Sequence, residues 1–391
     1  MNPSAIGWIN KVLKNNDVIN GLHSLDLLKF YNDLRSCGFI YGSNVHVLHN
    51  LIKTNDLTSD EICKINTLLA FKYTHNITDN STEFIASVID FYSAINAHKT
   101  TFFYELLGEK KSSSLLENII HKRIQIDDTI IERSFNYFIT NALLFSDILA
   151  YKIFLETNEV SKLYIQNLES TIESIALEAL NAKVIKSDYD HSLIDLIEQS
   201  MRYEDRKKFS YSDAVNNIKT QAEAYYILDI ACMATWGDFI IDKRESQFLH
   251  HLGSDLKLDV YSINSAVKSI DLFYALHKDK IALLSSKNLV QTFYDNSSKM
   301  VMKLITRNGK RLSKELQQSK ELIKLISQGA VRELNEDEQK QVNNQLKDIF
   351  KTIPSLAIFL LPGGALLLPL VVKFIPTLLP SAFDDNRIEN K

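Results

Sequence analysis

Residues 353–372 read IPSLAIFLLPGGALLLPLVV, twenty positions without a charged side chain. After Lys373 the chain continues FIPTLLPSAF and turns acidic at Asp384 and Asp385. A helix needs about 20 apolar residues to cross the hydrocarbon of a bilayer. Of six prolines, five (Pro354, Pro362, Pro369, Pro376 and Pro380) fall in this tail, and the other is Pro3. The chain therefore divides into a long body without proline and a greasy, proline-punctuated end. Two solvents are open to that end: hydrocarbon, or a protein interior.

Proline and glycine break helices, so their scarcity between Ser4 and Ile353 favours an all-α body of several long helices. In 160–180, Val160, Leu163, Tyr164, Leu168, Ile172, Ile175, Ala176 and Ala179 recur at threes and fours and define one apolar face. The stretch Thr129–Leu155 carries Ile130, Phe135, Phe138, Ile139, Leu143 and Phe145 and is apolar enough for a central helix. The cluster Thr54–Ser59 ahead of Glu61 predicts a helix start capped by Thr58 or Ser59. Gly108–Ser114 (GEKKSSS) is expected to be a loop. Junctions are expected at Tyr203–Asp213, Ser285–Ser298 and Gln328–Glu338. The expected organisation is an N-terminal helical domain over 1–210, a second helical domain over 211–298, a basic connector over 299–352 and the apolar segment over 353–383.

The small net negative charge of −4 gives no reason to expect wholesale coating of nucleic acid. Cys37, Cys63 and Cys232 are odd in number and widely spaced, which fits a reducing compartment rather than a disulfide framework. The amino terminus lacks the charged, apolar and small-residue pattern of a secretory leader, so none is expected. No HExxH, phosphate-loop, GxSxG or dinucleotide fingerprint occurs, and no enzyme activity is expected.

Two further segments carry charge in a pattern. In the middle, an apolar helix (Tyr226, Ile227, Ile230, Ala231) runs into Asp238, Asp242 and Glu245, then into a helix with Phe248, Leu249 and Leu252. Asp238, Asp242 and Glu245 can supply oxygen ligands to a divalent cation. The competing reading is a helix start, with Asp242 as cap and Glu245 closing a capping box. His250 and His251 are adjacent, hence about 100° apart on a helix, and cannot share one ligand site unaided. Nearer the tail, Lys299, Lys303, Arg307, Lys310, Arg311 and Lys314, with Lys320 and Lys324, outnumber Glu315 and Glu321. Met302, Leu304, Ile305, Leu312, Leu316, Ile323 and Ile326 supply the apolar side. Such a segment suits anionic headgroups or ribosomal RNA phosphates, or it is a solvated helix face. The absence of interleaved aromatics speaks against single-stranded nucleic acid.

In the tail, Pro362, Pro369 and Pro376 are seven apart and return to nearly the same helix face. Interior prolines cost about 3 kcal/mol each in a water-exposed helix. Membrane helices tolerate them where neighbours satisfy the freed carbonyls. Gly363 and Gly364 beside Pro362 suggest a hinge or close-packing notch. Lys373 is placed to snorkel to headgroups. The alternative is a helical hairpin broken at Pro362-Gly363-Gly364 and buried in the protein. Membrane insertion is the preferred reading. Lys340, Lys347 and Lys351 precede the run, and the acids after it offset Arg387 and Lys391, which places the body in the cytoplasm.

The middle segment resembles the TerB-like (tellurite-resistance) helical domain over roughly Thr220–Leu284. That family carries Asp-Gly-x-Ile-x-x-x-Glu between two helices, matched by Asp238, Ile241 and Glu245, with Phe239 in place of the glycine. The tail, from about Leu334 to Asp384, is similar to the membrane-adjacent core of the Letm (leucine zipper–EF-hand transmembrane) family. Phe350, Pro354, Pro362, Pro369, Lys373, Pro376, Leu379, Pro380, Ser381 and Phe383 carry the likeness, and Ile375 replaces a phenylalanine. It covers about fifty residues. The family's large carboxy-terminal helical domain, EF-hand and zipper regions are not expected here. The combination resembles bacterial Letm-related, biofilm-associated proteins. It implies a membrane-associated helical scaffold of the bacterial inner membrane, with lipid, a ribosome or a second copy as candidate partners and a divalent cation as the one candidate cofactor. Letm-type cation/proton exchange is the other implied function. It requires an ionisable group in the apolar span, and the acidic residue the family places between the second and third prolines is missing from Gly363, Gly364 and Ala365–Leu368.

Overall fold

The computed structural model describes residues 3–48, 57–78, 82–95, 109–124, 141–182, 207–235, 241–277, 301–329, 332, 334–353, 356, 371–372 and 374–376. Among the described residues every regular element is helical and no strand occurs, as the scarcity of breakers and the 3.6-residue periodicity require.

The first half is built around α4 (Ser59–Ile77), whose residues are buried on almost every side. Three short helices precede it: α1 (Trp8–Leu13), α2 (Asn16–His23) and α3 (Leu27–Ser36). Around α4 pack α5 (Phe84–Ala94), α6 (Glu109–Ile124) and α7 (Leu144–Thr157). Thr58, one of the two caps the sequence offers, starts α4, and the structure adds a reciprocal capping box with Glu61. Of the expected loop at Gly108–Ser114, residues 109–114 instead open α6, which begins at Glu109, and Gly108 lies outside the described residues. The reason is burial: Ser113 and Leu116 are packed inside, and Glu117 accepts hydrogen bonds from the Gly7 and Ile9 amides at 3.0 and 3.1 Å. Tertiary partners thus override the weak helix preference of the serine run.

The second half contains α8 (Lys162–Asn181), α9 (Tyr211–Asn217), α10 (Gln221–Thr235), α11 (Lys243–Asp255) and α12 (Val260–His277). The predicted stripe on α8 is buried at Leu168, Ile172, Ile175, Ala176 and Ala179, while Leu163 stands exposed at the first turn. Helix α10 is the centre of this half and packs on α8, α11 and α12. A single hydrophobic core runs from Trp8 to Tyr274. Helices on either side of residues 183–206, which lie outside the described residues, pack together: α9 and α10 lie on α8, and α3 lies on α12.

Two buried polar devices join the halves. Asp229 of α10 has no exposed surface; Arg35 Nε donates to it at 2.8 Å and Tyr31 Oη at 2.6 Å. Burial disfavours the Arg35 charge, but the adjoining Asp229 more than offsets this and pushes the guanidinium upward. Tyr226 Oη donates to the Ala142 carbonyl at 2.5 Å. Just after α3, Gly38 has φ +83°, and a Cβ there would collide with the Ser43 carbonyl oxygen and the Phe273 ring. Only glycine combines that backbone with that closeness to α12.

Among the described residues a second core, separate from the first, follows. It is made by the helical residues 301–307, then α13 (Gly309–Gln317), α14 (Lys320–Gly329) and α15 (Glu336–Thr352), and by Ile353, Leu356, Val371 and Ile375. Asn335 and Glu338 form the capping box that starts α15, which falls in the expected junction 328–338.

Candidate functional site

The connector shows its design in its spacing. Lys303, Arg307, Lys310 and Lys314 follow at i, i+4, i+7 and i+11, so a helix aligns them on one face. The backbone stays helical across the seam: the Asn308 amide bonds the Leu304 carbonyl at 3.2 Å, and the Leu312 amide bonds that of Asn308 at 2.8 Å. On the opposite face Leu304, Ile305, Leu312 and Leu316 are buried in the second core, as their pattern predicts, whereas Met302 is exposed.

The basic stripe is divided between two environments. Arg307 reaches back to the start of α4 and forms a fork on Glu61, at 2.6 Å to Oε2 and 2.8 Å to Oε1. Lys303 Nζ donates to the Leu57 carbonyl, just ahead of the α4 cap. Lys310 and Lys314 are exposed. Arg311, also exposed, donates to the Thr352 carbonyl at 2.8 Å, which satisfies a free carbonyl at the end of α15. Lys299 lies outside the described residues.

Glu61 is the acceptor on which this seam converges. Oε1 also accepts from Ser4 Oγ at 2.7 Å, and Oε2 from the Thr58 amide at 3.0 Å. The Glu61 side chain is 1% exposed and that of Arg307 16%. Burial raises the Glu61 carboxyl, but the Arg307 fork, the Thr58 amide and the Ser4 hydroxyl outweigh it and hold it below the usual carboxylate range. In the sequence Glu61 appears only as the residue behind a helix start capped by Thr58 or Ser59. No local signal marks Glu61 as the partner of Arg307, because the two stand 246 residues apart in the chain.

The apolar segment is described at its edges. Ile353 and Leu356 at its beginning, and Val371 and Ile375 near its end, are buried in the second core with Leu346 and Phe350 of α15. Val372 and Phe374 pack beside them, and Pro376 lies in a short helical stretch, half-buried. Pro354, Pro362, Gly363, Gly364, Pro369, Lys373 and Pro380 lie outside the described residues. Among the described residues no helix is long and apolar enough to cross a membrane.

The acidic turn in the middle is described from Ile241 onward, and Asp238 lies outside. Asp242 caps α11 and accepts from the Arg244 and Glu245 amides at 2.7 and 2.9 Å, while Glu245 Oε2 accepts from the Asp242 amide at 2.7 Å. The capping box of the competing reading is thus formed by Asp242 and Glu245 at this helix start. Among the described residues no group of three His, Cys, Asp or Glu side chains comes together to hold a metal. His251 turns to Asp255 at 3.4 Å, within its own helix. Cys37, Cys63 and Cys232 are buried free thiols, and burial pushes Cys37 up to about 12.

Comparison with known proteins bears on one part of the chain. Residues 334–391 match the family described as LETM1-like, RBD. The match begins at the cap of α15 and takes in the whole charge-free run. The LETM1 domain-containing protein mdm28, mitochondrial, of Schizosaccharomyces pombe is 38% identical over 76 residues, which is 19% of this chain and 16% of that protein. The C-terminal segment is thus Letm-related, and the chain matches about a sixth of the length of that relative. No solved structure matches the chain.

Proposed function

We propose that this chain is a membrane-associated helical interaction protein, whose body of α1–α12 offers surfaces to protein partners and whose Letm-related tail holds it at a bilayer. The observation that carries this reading is the coincidence of the 334–391 match with the charge-free run 353–372. The proposed location is the bacterial inner membrane with the body in the cytoplasm, supported by three unpaired thiols and by the lysines that precede the run. A link to biofilm or envelope processes rests on resemblance alone. Cation/proton exchange is not proposed, because 363–368 offers no ionisable side chain; reconstituted protein is expected to give no calcium- or potassium-coupled proton flux.

A second reading has an observation of its own. Ile353, Leu356, Val371 and Ile375 are buried against this chain's own helices, so the edges of the run already have a protein environment. In that case the tail completes a small helical module rather than entering lipid. Fractionation separates the two. Full-length protein is expected to resist a carbonate wash and to be released by detergent. A chain ending at Lys351, and a full-length Leu367→Arg variant that places a charge in the run, are expected in the soluble fraction. Full-length protein recovered as a soluble monomer would remove the membrane reading and leave the module.

A further inference from the structure

The basic stripe of the connector is one surface by sequence and two by structure. Its outward half, Lys310 and Lys314, meets solvent. Its inward half, Lys303 and Arg307, is turned onto the body at Leu57 and Glu61. Among the described residues the two hydrophobic cores on either side of this seam are separate, and the named ties across it are polar. A charge-assisted fork between rigid elements without a shared apolar core can part and re-form, because parting exposes ionic groups that water solvates readily. The helix start on the body survives parting: the Thr58–Glu61 capping box and the Ser4 hydroxyl remain.

We propose that Glu61 and the Leu57 carbonyl form a latch that withholds half of the basic stripe, and that opening it presents Lys303, Arg307, Lys310 and Lys314 together to anionic lipid headgroups. This inference rests on the membrane reading above. Three features select lipid as the occupant. The apolar face of the same helical stretch is already buried in its own module, so the basic face is the one left to dock. No aromatic side chain stands among residues 299–327 to stack on bases. The stripe precedes the charge-free run in the chain, as polybasic segments beside membrane entries do. In the latched form the protein has half of its electrostatic attraction for the surface, and a partner that competes for Glu61 would switch on the rest.

The test measures partition of the full-length chain onto phosphatidylcholine vesicles with and without phosphatidylserine. Glu61→Gln removes the latch charge but keeps a residue that serves in a capping box. Arg307→Lys keeps the connector charge, loses the two-pronged fork and leaves α4 untouched, so it carries the test if the first variant does not fold. Both variants are expected to bind phosphatidylserine vesicles about tenfold to thirtyfold more than wild type, the gain expected when two more basic side chains reach the headgroups. Binding to phosphatidylcholine alone should not change, and high salt should remove the gain. Equal binding of all three proteins to both vesicle types would overturn the latch and leave tail anchoring intact. No binding by any of them would sink the membrane reading and the latch with it. A tenfold gain on ribosomal RNA without one on phosphatidylserine would overturn lipid as the occupant.

Discussion

The body buries some of its ion pairs, and the C-terminal module, among the described residues, keeps its own internal pairs in solvent. Beside exposed pairs such as Lys152–Glu156, the body has buried pairs that tie distant segments: Arg35 to Asp229 across 194 residues, and Arg123 to Asp147 at 2.7 and 2.9 Å. In the module, the core is aliphatic apart from Phe350, and ion pairs such as Arg332–Glu338 lie in solvent. A buried pair adds little net stability but fixes which helices meet, and breaking it on one side is costly. An aliphatic core with solvated charges is held by packing alone and sets no such condition on its neighbours. On the latch proposal the body serves as a fixed platform and the module as a unit that shifts against it, with Glu61–Arg307 as the contact between them.

The largest effect that would test this contrast is Asp229→Ala. It leaves Arg35 buried without its partner and is expected to cost about 3–5 kcal/mol in denaturant melts followed on the body. A cost near zero would show that the pair is not an organising contact. Next is Leu346→Ala in the module, where lost burial and a cavity should cost about 2–5 kcal/mol. Hydrogen exchange read separately on α15 and α10 should show the loss in α15 with α10 unchanged; loss in both would mean that the two cores unfold as one.

The latch has a pH signature. Because the folded Glu61 carboxyl lies below its unfolded value, its contribution is fully present above the ordinary glutamate range of about 4.3. It is lost as pH falls through the lowered folded value. Acid titration should therefore loosen 301–307 from α4 before the body melts, read as faster exchange at Leu304 and Ile305. Simultaneous loss would remove the distinction between seam and core. Smaller still is Asp242→Ala, expected to cost about 1 kcal/mol as a lost helix cap. Millimolar calcium or magnesium should leave the melting temperature of the wild type unchanged if capping is the whole task of Asp242 and Glu245. A rise would bring Asp238 and a bound cation back into the account.

Much of this was readable from residues in order. The all-helical class followed from a proline-free stretch of nearly 350 residues and from the apolar stripe on α8. Thr58 and Asp242 were legible as helix starts because capping is a local matter of four consecutive residues. The Letm likeness was legible because fixed proline spacings survive as a pattern, and it coincides with the matched range. The start of α6 was not legible: Gly108–Ser114 has loop composition, and only contacts from Ser113, Leu116 and Glu117 to other helices make its first turn.

By itself, then, the sequence determined what is local or periodic: helix starts, apolar faces, the one-sided basic stripe and the charge-free run. Tertiary structure alone decided which acid receives Arg307, that Asp229 lies under Arg35, and that Ile353 and Ile375 share a core with α15. The reason is that each of those pairings depends on chain segments far apart, and side-chain type and spacing carry no record of which distant partner will arrive.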